Sequence, residues 1–379
     1  MKRFKFVLLF TMAVLLLVTL GMPAGNNGLI PTASAADKKE KVIIDADMGQ
    51  LNDDAYVMYM LANSDHVDVL GVTTVAGNTW VEEGTAYALR QLELIGRKDI
   101  PVVMGAGEAL MGNRMGHLDA EEKLYGNTEY MGSYSRPRPA SYLQLAKEPY
   151  GGYPKTKPLD TTAVDFIVDQ VKKNPNEVTI FALGPATNLA LAVKKNPEIV
   201  PMVKQVIYMG GAIDIPGNTT PAAEFNWWYD PESIKIALRT PFKRQIVVPN
   251  DIAEKFSFNK KIYDRIVSHP ETPIVKQFKD LKGPQFQNNP QATSYVWDAI
   301  TAAVFLDPKI ITKMEKRYID IDTNYGPNYG RAIGYHESRR RDFTHPENFP
   351  AGTQLVDIVF DIDQEAFWDI AIGLLTKKK

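Results

Sequence analysis

From Lys41 onward the chain alternates short apolar runs with amphipathic segments, and this alternation limits the folds that it can adopt. Runs such as "KVIID", "EVTIFALG" and "RQIVVP" have the length and bulk of buried strands. The segments between them, such as "AVDFIVDQVKKN" and "DPESIKIALR", have the apolar spacing of helices. Strands that alternate with helices in this way form parallel sheets that are covered on both faces. We therefore predict an α/β fold with a mainly parallel central sheet and helices on both faces, in a single domain.

The composition argues against several classes of protein. With 45% hydrophobic and 23% charged residues, the chain is an ordinary globular sequence that can bury a large core. The formal net charge of −2 gives no basic surface for nucleic acid, so we do not expect nucleic acid as a partner. The absence of cysteine rules out disulfides and zinc sites built on thiolates.

Residues 1–35 have the parts of a secretory signal peptide. A basic start, "MKRFKF", precedes the apolar run "VLLFTMAVLLLVTLGM", and "TASA" supplies the small residues of a cleavage site. The alternative is an uncleaved membrane anchor, because the apolar run is near the short limit for spanning a bilayer. The Pro/Gly/Asn-rich stretch before "TASA" favours cleavage after Ala35. We therefore expect a secreted domain, residues 36–379, that is free of the membrane.

Polar, turn-forming residues follow the predicted strands one after another. "ADMGQLNDD" follows the first strand, Asn78 follows "VTTVAG", "PATN" follows "VTIFALG", and a loop ending in "EFNWWYD" follows "VIYMGGA". The carboxyl ends of parallel strands meet at one edge of the sheet, where ligands bind. We therefore predict a site assembled from several loops, with the long loops 106–158 and 213–228 as its walls or lids.

Four aspartates, Asp45, Asp47, Asp53 and Asp54, lie within ten residues at the first of these loops. Carboxylates at this density repel one another unless a cation lies among them. For Asp53 and Asp54 alone, a helix N-terminus explains the acids equally well. Asp45 and Asp47 end a strand, where no capping role requires two acids. Taken together, the four favour a hard divalent cation such as calcium or magnesium.

Other chemistries have weaker support. A phosphohydrolase built on the D-x-D motif remains an alternative, although such motifs usually continue with Thr or Val rather than Met48-Gly49. The five histidines are scattered, without a pair at helical ligand spacing. Neither G-x-S-x-G nor a G-x-G-x-x-G after a strand occurs, so serine nucleophiles and dinucleotide binding are unsupported.

Six motifs, in order, resemble the nucleoside hydrolase family. They are "VIIDADMG…DDA", "GVTTVAGN", "LGPATNLALA", "VIYMGGA", "AEFNWWYDPES" and "VWDAITAAVFLDP". The resemblance extends from Lys41 to the C-terminal "DIDQEAFWDIAI", which is nearly the whole mature chain. It implies a Rossmann-like topology, a bound Ca²⁺ and calcium-dependent hydrolysis of the N-glycosidic bond of nucleosides. Members of the family are commonly dimers or tetramers, which implies a homo-oligomer.

The resemblance also implies which residues form the site. The calcium ligands would be Asp47, Asp54, Asp298 and the backbone carbonyl of Leu183. The substrate-binding residues would be Asp53, Asn78, Met209, Asn218, Glu224, Asn226 and Trp297. Asp47 would take a proton from the water that attacks C1′, and the carboxylates would stabilise the oxocarbenium-like transition state.

The chain departs from the family pattern in two places. Three residues, "QLN", separate Gly49 from the Asp pair where the family usually has one, so the assignment of Asp53 and Asp54 assumes that the helix start compensates. Trp297 stands where many pyrimidine-accepting members have a histidine that protonates the leaving base. Tryptophan there resembles the purine-preferring branch, in which the indole stacks on the base.

The aromatic residues leave three points open. Trp297 is either this stacking residue or a core aromatic on the helix "YVWDAITAAVF". A second stacking residue would come from a loop, where the candidates are Tyr125, Tyr130 and His117. Of Trp227 and Trp228, one is expected to line the pocket and the other to pack.

A binding protein without catalytic activity also remains an alternative, because of the lengthened "QLN" loop.

Overall fold

The computed structural model describes residues 38–126 and 128–378, and residues Lys39–Lys379 form one compact unit. The predicted signal peptide, residues 1–35, lies outside the described residues. None of the helices in the described part is both long enough and apolar enough to cross a membrane.

The core of the fold is a nine-stranded sheet. In chain order its strands are β1 Glu40–Ala46, β2 Val67–Thr74, β3 Val102–Met104, β4 Val178–Ala182, β5 Gln205–Met209, β6 Gln245–Val248, β9 Ile311–Ile321, β10 Ala332–Tyr335 and β11 Gln354–Ile362. Two short strands, β7 Ser257–Phe258 and β8 Ser294–Tyr295, pair separately. The spatial order is β10-β9-β11-β6-β5-β4-β1-β2-β3. Neighbours from β3 through β11 are parallel, and β9 is antiparallel to both β11 and β10.

The direction of strand addition reverses between β1 and β4. From β1 the chain adds β2 and β3 on one side, and β4, β5 and β6 then extend the sheet from the other side of β1. At such a reversal the loops that follow the two central strands diverge and leave a crevice at their carboxyl ends. The residues just beyond Ala46 and Ala182 therefore lie where this fold class binds ligands.

The helices cover both faces of the sheet. They are α1 Asp53–Asn63, α2 Val81–Leu94, α3 Leu118–Tyr125, α4 Ala163–Lys173, α5 Thr187–Lys195, α6 Phe225–Tyr229, α7 Pro231–Arg239, α8 Asn250–Ala253, α9 Lys260–Val267, α10 Pro273–Gln277, α11 Gly283–Asn288, α12 Ala299–Leu306 and α13 Gln364–Leu375. On β1, Val42, Ile44 and Ala46 pack into a core with α1, α2, α12 and α13, whereas Ile43 packs into a second core with α4, α5 and α7. This alternation follows from the two-residue repeat of a strand with both faces covered.

The predicted α/β fold with a mainly parallel sheet is confirmed. The segment from 256 to 290, which has a weak helical pattern in the sequence, forms α9, α10, a π-helical turn Phe278–Lys282 and α11. The antiparallel strands β9 and β10 at one edge were not predicted. Half of β9 is exposed, so its sequence "ITKMEKRYIDI" lacks the continuous apolar run of a central strand.

Candidate active site

A cavity of about 590 Å³ opens at the carboxyl ends of the central strands. Most of the predicted site residues line it, namely Asp53, Asn78, Met209, Asn218, Glu224, Asn226, Trp297 and Asp298. The other lining residues are Gly49, Asn52, Thr79, Tyr130, Arg136 and Phe225. The remaining predicted residues, Asp47, Asp54 and Leu183, are fully buried next to them. The chain thus brings together side chains that are more than 200 residues apart in sequence.

Asp47 follows β1 and is enclosed by backbone on two sides. A Cβ atom added to Gly77 would lie 2.1 Å from Asp47 Oδ2, and one added to Gly184 would lie 2.8 Å from Asp47 Cγ. Only glycine leaves room for the carboxylate at these two positions. Asn78 binds both oxygens, since its backbone N–H donates to Oδ2 at 2.6 Å and its Nδ2 donates to Oδ1 at 3.3 Å. The Asp47 carboxylate therefore has one fixed orientation.

Three further acids converge beside Asp47. Carboxylate oxygens of Asp53, Asp54 and Asp298 lie within 4.8 Å of one another. Asp53 comes from the start of α1, and its Oδ2 accepts hydrogen bonds from the backbone N–H groups of Trp297 and Asp298 at 3.0 and 3.1 Å. These two bonds fix the segment before α12 against the start of α1.

The acids have the free oxygens that a hard cation needs. Asp54 Oδ1 and Asp298 Oδ1 are buried without a hydrogen-bond partner in the described part of the chain. Between residues 38 and 378, leaving out residue 127, no arginine or lysine forms an ion pair with any of these acids. Buried oxygens without a donor are costly, and a divalent cation with oxygen ligands would satisfy them. The residues present therefore fit Ca²⁺.

Burial dominates the electrostatics of the cavity. It raises the pKa of Asp47 to about 7, with a further contribution from the charge of Asp53, and it raises the pKa of Glu224 to about 7. Burial also raises the pKa of Asp54 and of Asp298 well above the usual range, and the neighbouring carboxylates act in the same direction. These four carboxyl groups therefore hold protons more tightly than ordinary carboxyls do, unless a bound cation takes the place of the protons.

The lengthened loop "QLN" is accommodated before α1. Leu51 is fully buried with a left-handed backbone (φ 51°), and its N–H donates to Gln91 Oε1 at 2.8 Å. Gln91 Nε2 donates to the carbonyl of Gly49 at 3.2 Å. Asn52 caps α1 and donates from Nδ2 to Asp54 Oδ2 at 2.6 Å. The helix start thus compensates for the extra residues, and both Asp53 and Asp54 reach the site.

Asp45, the first acid of D-x-D, has a different environment. Its Oδ1 accepts hydrogen bonds from Thr73 Oγ1 at 2.6 Å and Asn188 Nδ2 at 2.7 Å. Burial raises its pKa to about 6, and these two bonds act against that rise. Asp45 therefore links β1 to β2 and α5, and it does not line the cavity.

Glu224 and Asn226 form another part of the cavity wall. Glu224 caps the short helix α6, where Oε1 accepts from the N–H of Asn226, and Oε2 accepts from the N–H groups of Gly211 and Trp227. Asn226 Nδ2 donates to the carbonyl of Leu183 at 2.7 Å and of Met209 at 3.3 Å, while its Oδ1 is buried without a partner among the described residues. These two side chains thus connect α6 to the ends of β4 and β5.

The aromatic residues correct several expectations. The helix α12 begins at Ala299, so Trp297 precedes it and is not a helical core residue; its half-buried ring lines the cavity. The expectation that Trp227 or Trp228 lines the pocket was wrong, because both are fully buried and neither borders the cavity. Of the loop candidates, Tyr130 is among the lining residues and His117 is not; the side chain of Tyr125 lies outside the described part of the chain.

The first long loop is fastened over α6 by a buried ion pair. Arg114 is fully buried, pairs with Glu121, and lies over the rings of Trp228 (4.7 Å) and Tyr329 (5.0 Å). Trp228 Nε1 donates to Glu121 Oε2 at 2.7 Å. The loop predicted as a wall thus contributes Tyr130 and Arg136 to the cavity, and the second long loop contributes Asn218.

Sequence reasoning missed Thr79, Arg136 and Phe225 as lining residues. Phe225 lies inside the motif "AEFNWWYDPES" and Thr79 directly follows "GVTTVAGN", so these motifs could have indicated them. Arg136 had no such signal. It belongs to the long loop, where it pairs with Glu83 at 2.8 Å and donates from Nη2 to the carbonyl of Asn78 at 3.1 Å.

Comparison with known proteins identifies the family. Residues 42–369 match the family described as inosine-uridine preferring nucleoside hydrolase. A probable uridine nucleosidase of Arabidopsis thaliana is 34% identical over 235 residues, which cover 60% of this chain and 67% of the plant protein. The pyrimidine-specific ribonucleoside hydrolase RihB of Escherichia coli is 28% identical over 304 residues, covering 78% and 87% of the two chains.

A solved structure agrees with this result. The plant nucleoside hydrolase PpNRh1 superposes with a TM-score of 0.71 at 26% identity, covering 89% of this chain and 99% of the plant chain. The family match spans both ends of the sheet and every strand that contributes to the cavity. The chain therefore belongs to the inosine-uridine preferring nucleoside hydrolase family, and it is an enzyme that hydrolyses the N-glycosidic bond of ribonucleosides.

Proposed function

We propose that this enzyme is a calcium-dependent N-ribohydrolase that prefers purine ribonucleosides and releases the free base and ribose. The observation that carries the proposal is the cluster of acids Asp53, Asp54 and Asp298, of which Asp54 and Asp298 are buried with an oxygen that has no partner in the described part of the chain. The lining of the cavity also includes asparagine amides and the carboxylate of Glu224. Ribose presents hydroxyl groups that both donate and accept hydrogen bonds, and this lining offers the complementary mixture. A bound Ca²⁺ would supply the positive charge that lets the acids stay ionised together and would attract oxygen atoms of ribose and water.

The chain's own residues divide the remaining work. Asp47, held in one orientation by Asn78, accepts a proton from the water that attacks C1′. Burial raises the pKa of Asp47 in the calcium-free protein, and a bound Ca²⁺ would favour the ionised carboxylate that this transfer needs. Positive charge develops on the sugar ring as the glycosidic bond breaks, and the surrounding carboxylates stabilise it.

The purine preference is supported by Trp297. Its ring borders the cavity, and its backbone N–H is fixed by Asp53 next to the acid cluster. A fused two-ring base offers more area for stacking on an indole than a pyrimidine does. Among the described residues that line the cavity there is no histidine, and Trp297 stands where an imidazole acid for the leaving base would be expected in pyrimidine-accepting members. The relatives named for uridine and pyrimidine nucleosides make uridine the decisive comparison.

The test is ribose release from inosine, adenosine, guanosine, uridine and cytidine, with added Ca²⁺ and after chelation. We expect kcat/KM for inosine to exceed that for uridine at least about tenfold, because stacking on an aromatic ring stabilises a base by roughly 1–3 kcal/mol. Trp297→Ala should remove most of this advantage while changing uridine turnover less. Chelation should abolish turnover, and Ca²⁺ should restore it.

Three outcomes would contradict parts of the proposal. Equal rates on uridine and inosine would remove the assignment of Trp297. Full activity after exhaustive chelation would remove the calcium dependence. Phosphate released from a nucleoside monophosphate, without ribose release from any nucleoside, would favour the phosphohydrolase alternative.

A further inference from the structure

The segment around Tyr130 is fixed against the cavity on both sides. The backbone N–H of Glu129 donates to the carbonyl of Thr219 at 3.2 Å, and that of Ser133 donates to the carbonyl of Gly77 at 2.8 Å. Gly132, with φ of 54°, approaches Gly77 so closely that an added Cβ would lie 2.4 Å from its carbonyl oxygen. Tyr130 is therefore held between the loop that carries Asn218 and the loop that carries Asn78.

The Tyr130 side chain reaches from the cavity mouth to Asn78. Its hydroxyl donates to Asn78 Oδ1 at 2.9 Å. Its ring lies edge-on to Phe225 with 4.8 Å between ring centres, and the residue is 46% exposed. The ring thus stands at the entrance, and the hydroxyl reaches Asn78. This hydroxyl is the link between the long loop and the side chain that holds Asp47.

The contacts of Asn78 fix which way its carboxamide faces. An ionised carboxylate only accepts hydrogen bonds, so the NH₂ group faces Asp47 Oδ1, at 3.3 Å, and the amide oxygen faces Tyr130. Burial and the charge of Asp47 raise the pKa of Tyr130 above its usual value, so its hydroxyl keeps the proton that it donates. Without that donor, a bond as long as 3.3 Å would be the sole hydrogen bond that orients the amide within the described part of the chain.

We propose that Tyr130 is a positioning residue, whose hydroxyl orients the Asn78 carboxamide and thereby holds the Asp47 carboxylate ready to accept a proton from water. The inference rests on the proposed function, because it assumes that Asp47 is the base. It adds a residue from the long loop that acts on the Asp47 carboxylate through Asn78. It also makes the rate of the chemical step depend on whether that loop is seated at the cavity mouth.

The test is the Tyr130→Phe variant, which keeps the ring against Phe225 and removes the hydroxyl. We expect kcat for inosine to fall about fivefold, with KM within twofold, because the loss of one hydrogen bond has an effect of this order. The matched control is Tyr325→Phe. Tyr325 also fastens the long loop, by donating to the carbonyl of His117 at 3.0 Å, and it does not touch Asn78. Removing the Tyr325 hydroxyl should leave kcat within twofold of the wild type.

A double-mutant cycle separates positioning from a structural effect on the loop. In an Asn78→Ala background, Tyr130→Phe should cause no further loss of kcat, since its route to Asp47 is already gone. A crystal structure of Tyr130→Phe supplies a readout without catalysis: the Asn78 amide should be rotated or disordered, with Asp47 less well fixed. Thermal unfolding of each variant checks that the fold is retained.

The outcomes distinguish this inference from the proposed function. Wild-type protein that releases ribose, with Tyr130→Phe equally active, would overturn the role of Tyr130 alone. A fivefold loss that persists in the Asn78→Ala background, or an equal loss in Tyr325→Phe, would assign Tyr130 to loop structure and overturn positioning. Wild-type protein that releases no ribose from any nucleoside would overturn the proposed function itself.

Discussion

Asp45 and Asp47 lie two residues apart at the carboxyl end of β1, yet their contacts give them different roles. Asp45 accepts hydrogen bonds from Thr73 and Asn188 and binds neighbouring elements together. Asp47 is enclosed by Gly77 and is bound by Asn78, which lines the cavity. The local environment, and not the residue type, therefore separates a structural acid from the proposed base.

This difference predicts opposite results for two matched variants. Asp47→Asn should lower kcat about 10²–10⁴-fold at saturating Ca²⁺, because an amide cannot accept the proton of the attacking water. Asp45→Asn should lower the thermal stability and leave kcat within tenfold of the wild type. The measurement is the steady-state rate of hypoxanthine release from inosine, with unfolding temperatures recorded for both proteins. Comparable losses of kcat in two folded variants would refute the distinction.

Which residues reach the cavity could be predicted where a motif follows a strand. Asp47, Asn78 and Glu224 all lie in short segments whose position is set by the end of a strand or by the start of a helix. Tyr130 was a candidate among three aromatic residues, and nothing in the sequence distinguished it from His117. The choice depends on how the long loop packs on α6, and such packing has no periodic signature in a sequence.

At the scale of elements, the connection between β1 and α1 decides whether two of the acids reach the site. Its extra residues place Leu51 in a left-handed conformation, which is unfavourable for a residue with a branched side chain. Gln91, from α2, offsets this by bonding both the N–H of Leu51 and the carbonyl of Gly49. The loop is thus held from α2 as well as by the capping residue Asn52.

Gln91→Ala tests this dependence. Two buried backbone groups would lose their partners, so the free energy of unfolding should fall by about 2–4 kcal/mol. Because the start of α1 would also lose its fixed position, the Ca²⁺ concentration needed for half-maximal activity should rise severalfold. Denaturant unfolding and a calcium titration of activity measure the two effects. The control is Gln291→Ala at an exposed position, which should change neither the free energy of unfolding nor the calcium requirement. If Gln91→Ala is destabilised but its calcium requirement is unchanged, the loop acts on stability alone.

The elements differ in how well sequence patterns predict them. Central strands such as β4 and β5 are buried on both faces, so their continuous apolar runs are easily recognised. Of the two antiparallel strands, β9 is exposed over its first half and β10 is mostly half-buried, so their sequence pattern is weaker. The site depends on the central strands, which explains why the site motifs were found although one edge of the sheet was not.

At the scale of the whole molecule, the fold concentrates negative charge where its strand order reverses. Asp47, Asp54 and Asp298 converge there from the first and last thirds of the chain, and all three are buried. A nearly neutral protein can accommodate such a group if a cation binds with it, or if some of the carboxyls keep protons. Stability, calcium and pH are therefore linked in this enzyme.

This linkage predicts how the unfolding temperature depends on pH. Asp47 and Glu224 have pKa values of about 7 in the folded protein, above their ordinary values, so the folded state without calcium binds protons more tightly than the unfolded chain. Its stability should therefore fall as pH rises from about 5 to 8. Acids whose pKa is lowered, such as Glu93 and Asp357, finish titrating below that window and do not oppose the trend.

Added Ca²⁺ should reverse the loss, because it competes with protons for the same oxygens. We expect millimolar Ca²⁺ to raise the unfolding temperature several degrees more at pH 8 than at pH 5.5, measured by calorimetry on chelated and calcium-loaded protein. The Asp54→Asn/Asp298→Asn double variant should lose this calcium response and be less sensitive to pH. A calcium effect of equal size at both pH values would mean that the ion binds away from the buried acids, since an external site would not compete with their protons.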